Sequence, residues 1–204
     1  MGRTMRKAMP LLGMIGLLVA TPLAAQNFVS DSYSFLKGVR DRDGAKVQKL
    51  LDSPSTTIIL ARDTTTGETA LHIVAKRRDL AWLQYMLAKG ADMNARDRDG
   101  NTALADAAQI GWAEGARQLI EVGATVDLGN NRGETPLILA TNSHDLPTVK
   151  TLIAGGADPK ITDHVAGMSA HDYATRDGRS VAILKALDEA KPVPRKIISG
   201  PSIN

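Results

Sequence analysis

Gly67, Gly100, Gly133 and Gly167 stand 33, 33 and 34 residues apart, and two positions after each comes a hydroxyl: Thr69, Thr102, Thr135 and Ser169. A second marker keeps the same step, in Gly90-Ala-Asp-Met-Asn, Gly123-Ala-Thr-Val-Asp and Gly156-Ala-Asp-Pro-Lys. No other feature narrows the fold so far. A unit of this size cannot bury its own apolar face, so consecutive units must stack into one continuous core.

Within each unit the pattern reads as two short helices. Thr69, Thr102 and Thr135 are suited to N-caps, whose oxygens accept from backbone N–H groups that a helix start leaves unpaired. Pro136 fits the first helical position, where its missing N–H is not needed. Leu71, Leu104 and Leu137 fall on one face of the first helix, with Ala75, Ala108 and Thr141 where helices approach closely. In the second helix Leu80, Leu83, Met86 and Leu87 return as Ala113, Ala116, Leu119 and Ile120, then as Leu146, Val149, Leu152 and Ile153. Those steps make one buried stripe at helical period. Gly90, Gly123 and Gly156 follow as stops. Polar segments rich in Gly, Asn and Asp, such as Asn94–Gly100 and Asp127–Gly133, separate the units and read as turns.

Thr69-Ala-Leu-His72, Thr102-Ala-Leu-Ala105 and Thr135-Pro-Leu-Ile138 are similar to the Thr-Pro-Leu-His core of the ankyrin repeat family, and Ser169-Ala-His-Asp172 departs furthest from it. The resemblance covers about residues 31 to 190. It implies an all-α repeat solenoid of helix-turn-helix units with hairpin-like finger loops pointing away from the helices. Domain boundaries follow: a signal peptide over 1–25, a repeat domain over 26–190 and a flexible, proline-containing tail over 191–204. Five units are expected, an atypical first cap (31–62), regular units (63–96, 97–129, 130–162) and a last cap (163–190). Residues 26–30 read as a short lead-in.

The N-terminal expectation rests on Arg3, Arg6 and Lys7 ahead of an apolar run from Ala8 to Ala20, closed by Thr21-Pro-Leu-Ala-Ala25. A basic start, a short apolar centre and small residues describe a secretory signal peptide. Cleavage is expected after Ala25, giving a periplasmic or secreted protein with no stable membrane insertion. The run is shorter than the ~20 residues that span a bilayer. The alternative is an uncleaved anchor.

Composition then excludes several function classes. Of 25 Lys and Arg against 22 Asp and Glu, the leader holds three bases and no acid, so the processed chain is formally neutral. Such a chain has little counterion-release energy to offer nucleic acid, which is therefore not expected as a partner. The absence of cysteine removes disulfides, thiol chemistry and Cys-rich zinc sites. Neither a Walker-type loop nor a Gly-x-Ser-x-Gly elbow is present. His72 holds the family's structural histidine position, and His144, His164 and His171 show no i, i+4 ligand pairing with a carboxylate. No catalytic residue, metal site or cofactor is expected. A competing reading is a metal- or oxidant-handling stress-protection protein using His72, His164 or His171 in the groove.

What remains is surface. The resemblance implies that a protein partner binds the concave face of finger tips and first helices: Lys76, Arg77, Arg96, Arg98, Asp99 and Asn101, then Gln109, Ile110, Arg132, Glu134 and Asn142. Lys76, Arg77, Arg96, Arg98 and Arg132 outnumber Asp99 and Glu134 there, which favours a partner with an acidic patch. Trp82 is expected to pack inside its helix, and Trp112 either to pack or to anchor a partner. The exported ankyrin proteins that this chain resembles look bacterial; some support oxidative-stress protection and others look like inhibitors or immunity factors.

Overall fold

A computed structural model describes residues 23–53 and 57–190. The apolar leader up to residue 22 and the tail over 191–204 lie outside the described residues. Five helix pairs follow one another: α1 (Leu23–Asp41) with α2 (Gly44–Leu51), α3 (Ala70–Lys76) with α4 (Leu80–Ala88), and α5 (Ala103–Gln109) with α6 (Ala113–Glu121). The series continues with α7 (Pro136–Asn142) and α8 (Leu146–Ala154), then α9 (Ala170–Asp177) and α10 (Val181–Asp188). First helices stack on first helices along α1, α3, α5, α7 and α9; second helices stack along α4, α6, α8 and α10. Among the described residues no extended strand forms, and the chain is an all-α repeat solenoid.

The repeated residues do what their periodicity dictates. Leu71, Leu104 and Leu137 are buried between neighbouring first helices, and Met86, Leu119 and Leu152 between neighbouring second helices. The hydroxyls of Thr102, Thr135 and Ser169 accept from the N–H three residues on. Second helices carry a cap of their own. Asp43, Asp79 and Asp145 accept from Lys46, Trp82 and Thr148, at 3.0, 3.2 and 2.9 Å. Trp112 takes the equivalent place in the third unit, 6% exposed and without a capping bond, its ring laid over Gly115.

One detail differs from expectation. Residues 26–30 are not a separate lead-in, because α1 runs unbroken from Leu23 to Asp41 and through the expected cleavage position. Trp82 packs as expected, and of the two alternatives for Trp112 the structure takes packing. Trp112 is core, and Trp82 stands edge-on to Tyr85 at 5.9 Å with the Arg77 guanidinium over its ring.

Candidate interaction face

The loops between units are built on one local device. Asp63, Asp97, Asn130 and Asp163 each turn a side-chain oxygen onto backbone N–H groups of their own loop, at Thr65 and Thr66, Asn101, Arg132 and Glu134, and Val165 and Ala166. A short carboxylate or amide is the right length for this, as in Asx-turns. Each loop then bonds to the next. Arg98 N–H donates to the Thr66 carbonyl at 2.9 Å, Asn131 N–H to Asp99 at 2.9 Å, and His164 N–H to Arg132 at 2.7 Å. Close approach requires glycine at Gly67, Gly100 and Gly133: a Cβ on Gly100, at φ 81°, would lie 2.7 Å from the Asn131 nitrogen. The fingers are thus one backbone-linked row rather than independent loops.

His72 ties this row to the helices. Thr69 N–H donates to its Nδ1 at 3.1 Å, which places the proton on Nε2, and Nε2–H donates 2.9 Å to the carbonyl of Asn101 in the next unit. Burial lowers its pKa, so the neutral ring that this geometry needs is also the favoured one.

Between fingers and first helices lies a groove of about 410 Å³. It brings together six of the expected positions: Lys76, Asp99, Asn101, Gln109, Arg132 and Glu134 line it. Several are already paired. Arg132 donates to both oxygens of Glu134, at 2.6 and 3.1 Å, and Glu134 is only 7% exposed. Lys76 donates to Glu68 at 2.7 Å. Asn101 receives Asn130 on its side chain and His72 on its carbonyl.

Other expected positions sit elsewhere. Arg77 is half-buried and donates to the carbonyls of Val39 and Arg40 at 2.7 and 3.0 Å, so it closes the C-terminal end of α1. Ile110 packs on the core, and its carbonyl accepts from Arg78. Asn142 lines a separate cavity of about 420 Å³ with Tyr173, Arg176 and Asp177. Arg96 and Arg98 remain on the fingers, and among the described residues their side chains have amide and carbonyl partners only.

One charged residue of the groove is absent from the expected face. Asp106 on α5 is 2% exposed, its Oδ1 lies 3.6 Å from Lys76, and its Oδ2 has no hydrogen-bond partner among the described residues. Burial above all pushes its carboxyl up to about 7, against the pull of Lys76. Aligned by the repeat, its column reads Ile73, Asp106, Leu139, Tyr173. A carboxylate in an otherwise apolar column was the available signal.

The remaining histidines do not converge. His164 is at a finger, His171 lies 2.9 Å from Asp188, and His72 is in the core. Among the described residues no group of three or more His, Asp or Glu is spaced to hold a metal ion. His144, Ser180 and Asp177 do meet: Ser180 Oγ donates to Asp177 at 2.8 Å, with His144 Nδ1 3.0 Å from the same oxygen. A proton relay needs one imidazole nitrogen on the hydroxyl and the other on the acid. Here a single nitrogen faces both, and Ser180 is buried as the N-cap residue of α10. The cluster joins the fourth unit to the fifth.

A family model described as ankyrin repeats (3 copies) matches residues 39–130 and again 71–163, together more than half of the 204 residues. The chain is 34% identical over 112 residues to human BCL-6 corepressor-like protein 1, covering 54% of this chain and 6% of that protein. It is 31% identical over 109 residues to an ankyrin repeat-containing protein of Treponema pallidum, covering 53% and 36%. It is also 40% identical over 95 residues to protein PhlB of Serratia liquefaciens, covering 46% and 40%. The matched segment spans less than half of each of these relatives.

Proposed function

Because the chain belongs to the ankyrin repeat family, whose repeats are generally a non-enzymatic protein-interaction fold, we propose that it is a scaffold of the bacterial envelope that binds a protein partner through its concave face. The observation that carries this is the backbone-linked row of fingers standing over a groove of about 410 Å³. Side chains on such a row are held before the partner arrives, so little ordering entropy opposes association. Arg96 and Arg98, which have no carboxylate partner among the described residues, meet acidic groups of the partner at the finger tips. The basic, apolar and small-residue pattern over residues 1–25 supports export, with cleavage after Ala25 and a periplasmic or secreted product. Two of the relatives are bacterial proteins. No helix among the described residues is long and apolar enough to cross a membrane.

The test is affinity capture from a periplasmic extract with the processed chain, beside a variant carrying Arg96→Glu and Arg98→Glu. A partner held by the wild type and released by the variant supports the finger face. Equal capture by both, or none, removes it. The intact mass of the exported chain, beginning at Gln26 or not, decides the cleavage position independently.

A further inference from the structure

The groove residue that the scaffold fold does not need is Asp106. At its position the neighbouring units place Ile73 and Leu139, and an aliphatic side chain there would bury without cost. Instead a carboxylate is 2% exposed with one oxygen unpartnered among the described residues. A buried acceptor without a partner is destabilising, and such groups are rare unless something else retains them.

We propose that the groove receives a cationic side chain, a lysine or arginine of the partner protein, and that Asp106 is the buried anion that pairs with it. The proposal rests on the scaffold reading above and names the chemistry of its partner. Three features of the groove point to a cation. Its other charges are largely matched, Arg132 to Glu134 and Lys76 to Glu68, which leaves Asp106 with only the 3.6 Å approach of Lys76. Lys76 keeps its 2.7 Å bond to Glu68 if an incoming cation displaces it from Asp106. An anionic group would instead meet the carboxylates of Asp99, Asp106 and Glu134 together. A desolvated charge pair near the centre of an interface is also the kind of contact that dominates affinity, because truncating one side leaves the other charge buried alone.

The pairing is linked to a proton. Asp106 carries one below about pH 7, held by burial and by the fields of Asp97 and Glu68 against that of Lys76. An entering cation favours the ionised form, so binding releases that proton, and affinity falls as pH falls from 8 to 6.

Random peptides displayed on phage and selected on the purified chain test this directly. Peptides enriched on the wild type are then measured by calorimetry against Asp106→Asn and Asp106→Leu; the Leu variant restores the aliphatic column and is expected to fold. The expected result is a lysine or arginine at one fixed peptide position. Affinity should drop at least ~30-fold for both variants, and equally when that peptide residue is replaced by norleucine or citrulline. Binding by the wild type should weaken toward pH 6, and binding by the Leu variant should not. Peptides that engage the fingers, lose affinity in the Arg96→Glu, Arg98→Glu variant and ignore Asp106 would overturn this proposal while leaving the scaffold reading in place. Peptides that depend on neither pair of changes would overturn both.

Discussion

Arg42 holds a backbone φ of 58° and sets its Nε 2.9 Å from Oδ2 of Asp79, the cap of the next unit's second helix. The same turn recurs along the array. Arg78 at φ 54° donates to the Ile110 carbonyl, and His144 at φ 56° reaches Ser180 and Asp177; each is one unit on. Gly111 and Gly178 fill the turn in the third and fifth units, both at φ 64°. A non-glycine residue in this region is strained by about 1–2 kcal/mol. Three units therefore carry that strain where the side chain bridges to a neighbour.

The two glycines separate strain from crowding. A Cβ on Gly178 would meet nothing within 4 Å, whereas one on Gly111 would meet Asp145 atoms at 2.9 to 3.0 Å. Gly178→Ala should lose about 1 kcal/mol, the backbone term alone. Gly111→Ala should lose clearly more, ~2–3 kcal/mol, because the Asp145 cap of α8 must shift as well. Urea denaturation of the pair measures the difference, and equal losses would show that Asp145 yields freely.

His72→Ala removes the three bonds of a buried ring, from the N–H and hydroxyl of Thr69 and to the Asn101 carbonyl 29 residues away. An expected loss of ~3 kcal/mol combines the cavity with the acceptor left unpaired at Asn101. Amide exchange should quicken in the 97–101 finger as well as in α3. Acceleration confined to α3 would mean that the link between units is not made through this ring.

Arg77→Ala should act on stability and not on partner binding. Its guanidinium closes two α1 carbonyls and sits 3.1 Å from Asp79. The loss expected is ~1–3 kcal/mol, with faster exchange concentrated in α1 and α2 and peptide affinity at the groove unchanged. A variant of full stability that loses its partner would return Arg77 to the binding face.

Much of this was legible in the chain itself, for a physical reason. Period, N-cap hydroxyls and buried stripes are local rules applied several times over, so Leu71, Leu104 and Leu137 corroborate one another. The proposed binding face was legible only as a set of positions. Arg77 and Arg98 look alike in sequence, yet one lies against carbonyls of α1 and the other on the finger row, since the contact partners are more than 30 residues away. The start of α1 was read as a lead-in over 26–30 because it adjoins signal-peptide-like residues and does not resemble a repeat. Asp106 was passed over for the opposite reason. It stands between residues that fit the motif, and a charge is conspicuous there only after its column has been read across units as Ile73, Asp106, Leu139 and Tyr173.

Asp106→Leu makes that column apolar and should raise stability, by an amount that depends on pH. In the folded chain the carboxyl titrates at about 7, and in the unfolded chain near the ordinary ~3.9. Between those values the folded state holds a proton that the unfolded state has released. The stabilisation from that proton is complete below about pH 4 and disappears as pH rises through 7. Wild type therefore becomes less stable than the Leu variant by an additional amount on the order of 3 kcal/mol between pH 5 and pH 8. His72 works the other way in both proteins, since burial lowers its pKa and protonation below about 6.5 favours unfolding, and it cancels in the comparison. Denaturation midpoints of the two proteins at pH 5, 6, 7 and 8 read out the gap. A gap that widens toward alkaline pH identifies a carboxylate kept at a cost to the fold. A constant gap would mean that Asp106 ionises as freely as a surface residue and that the groove already solvates it.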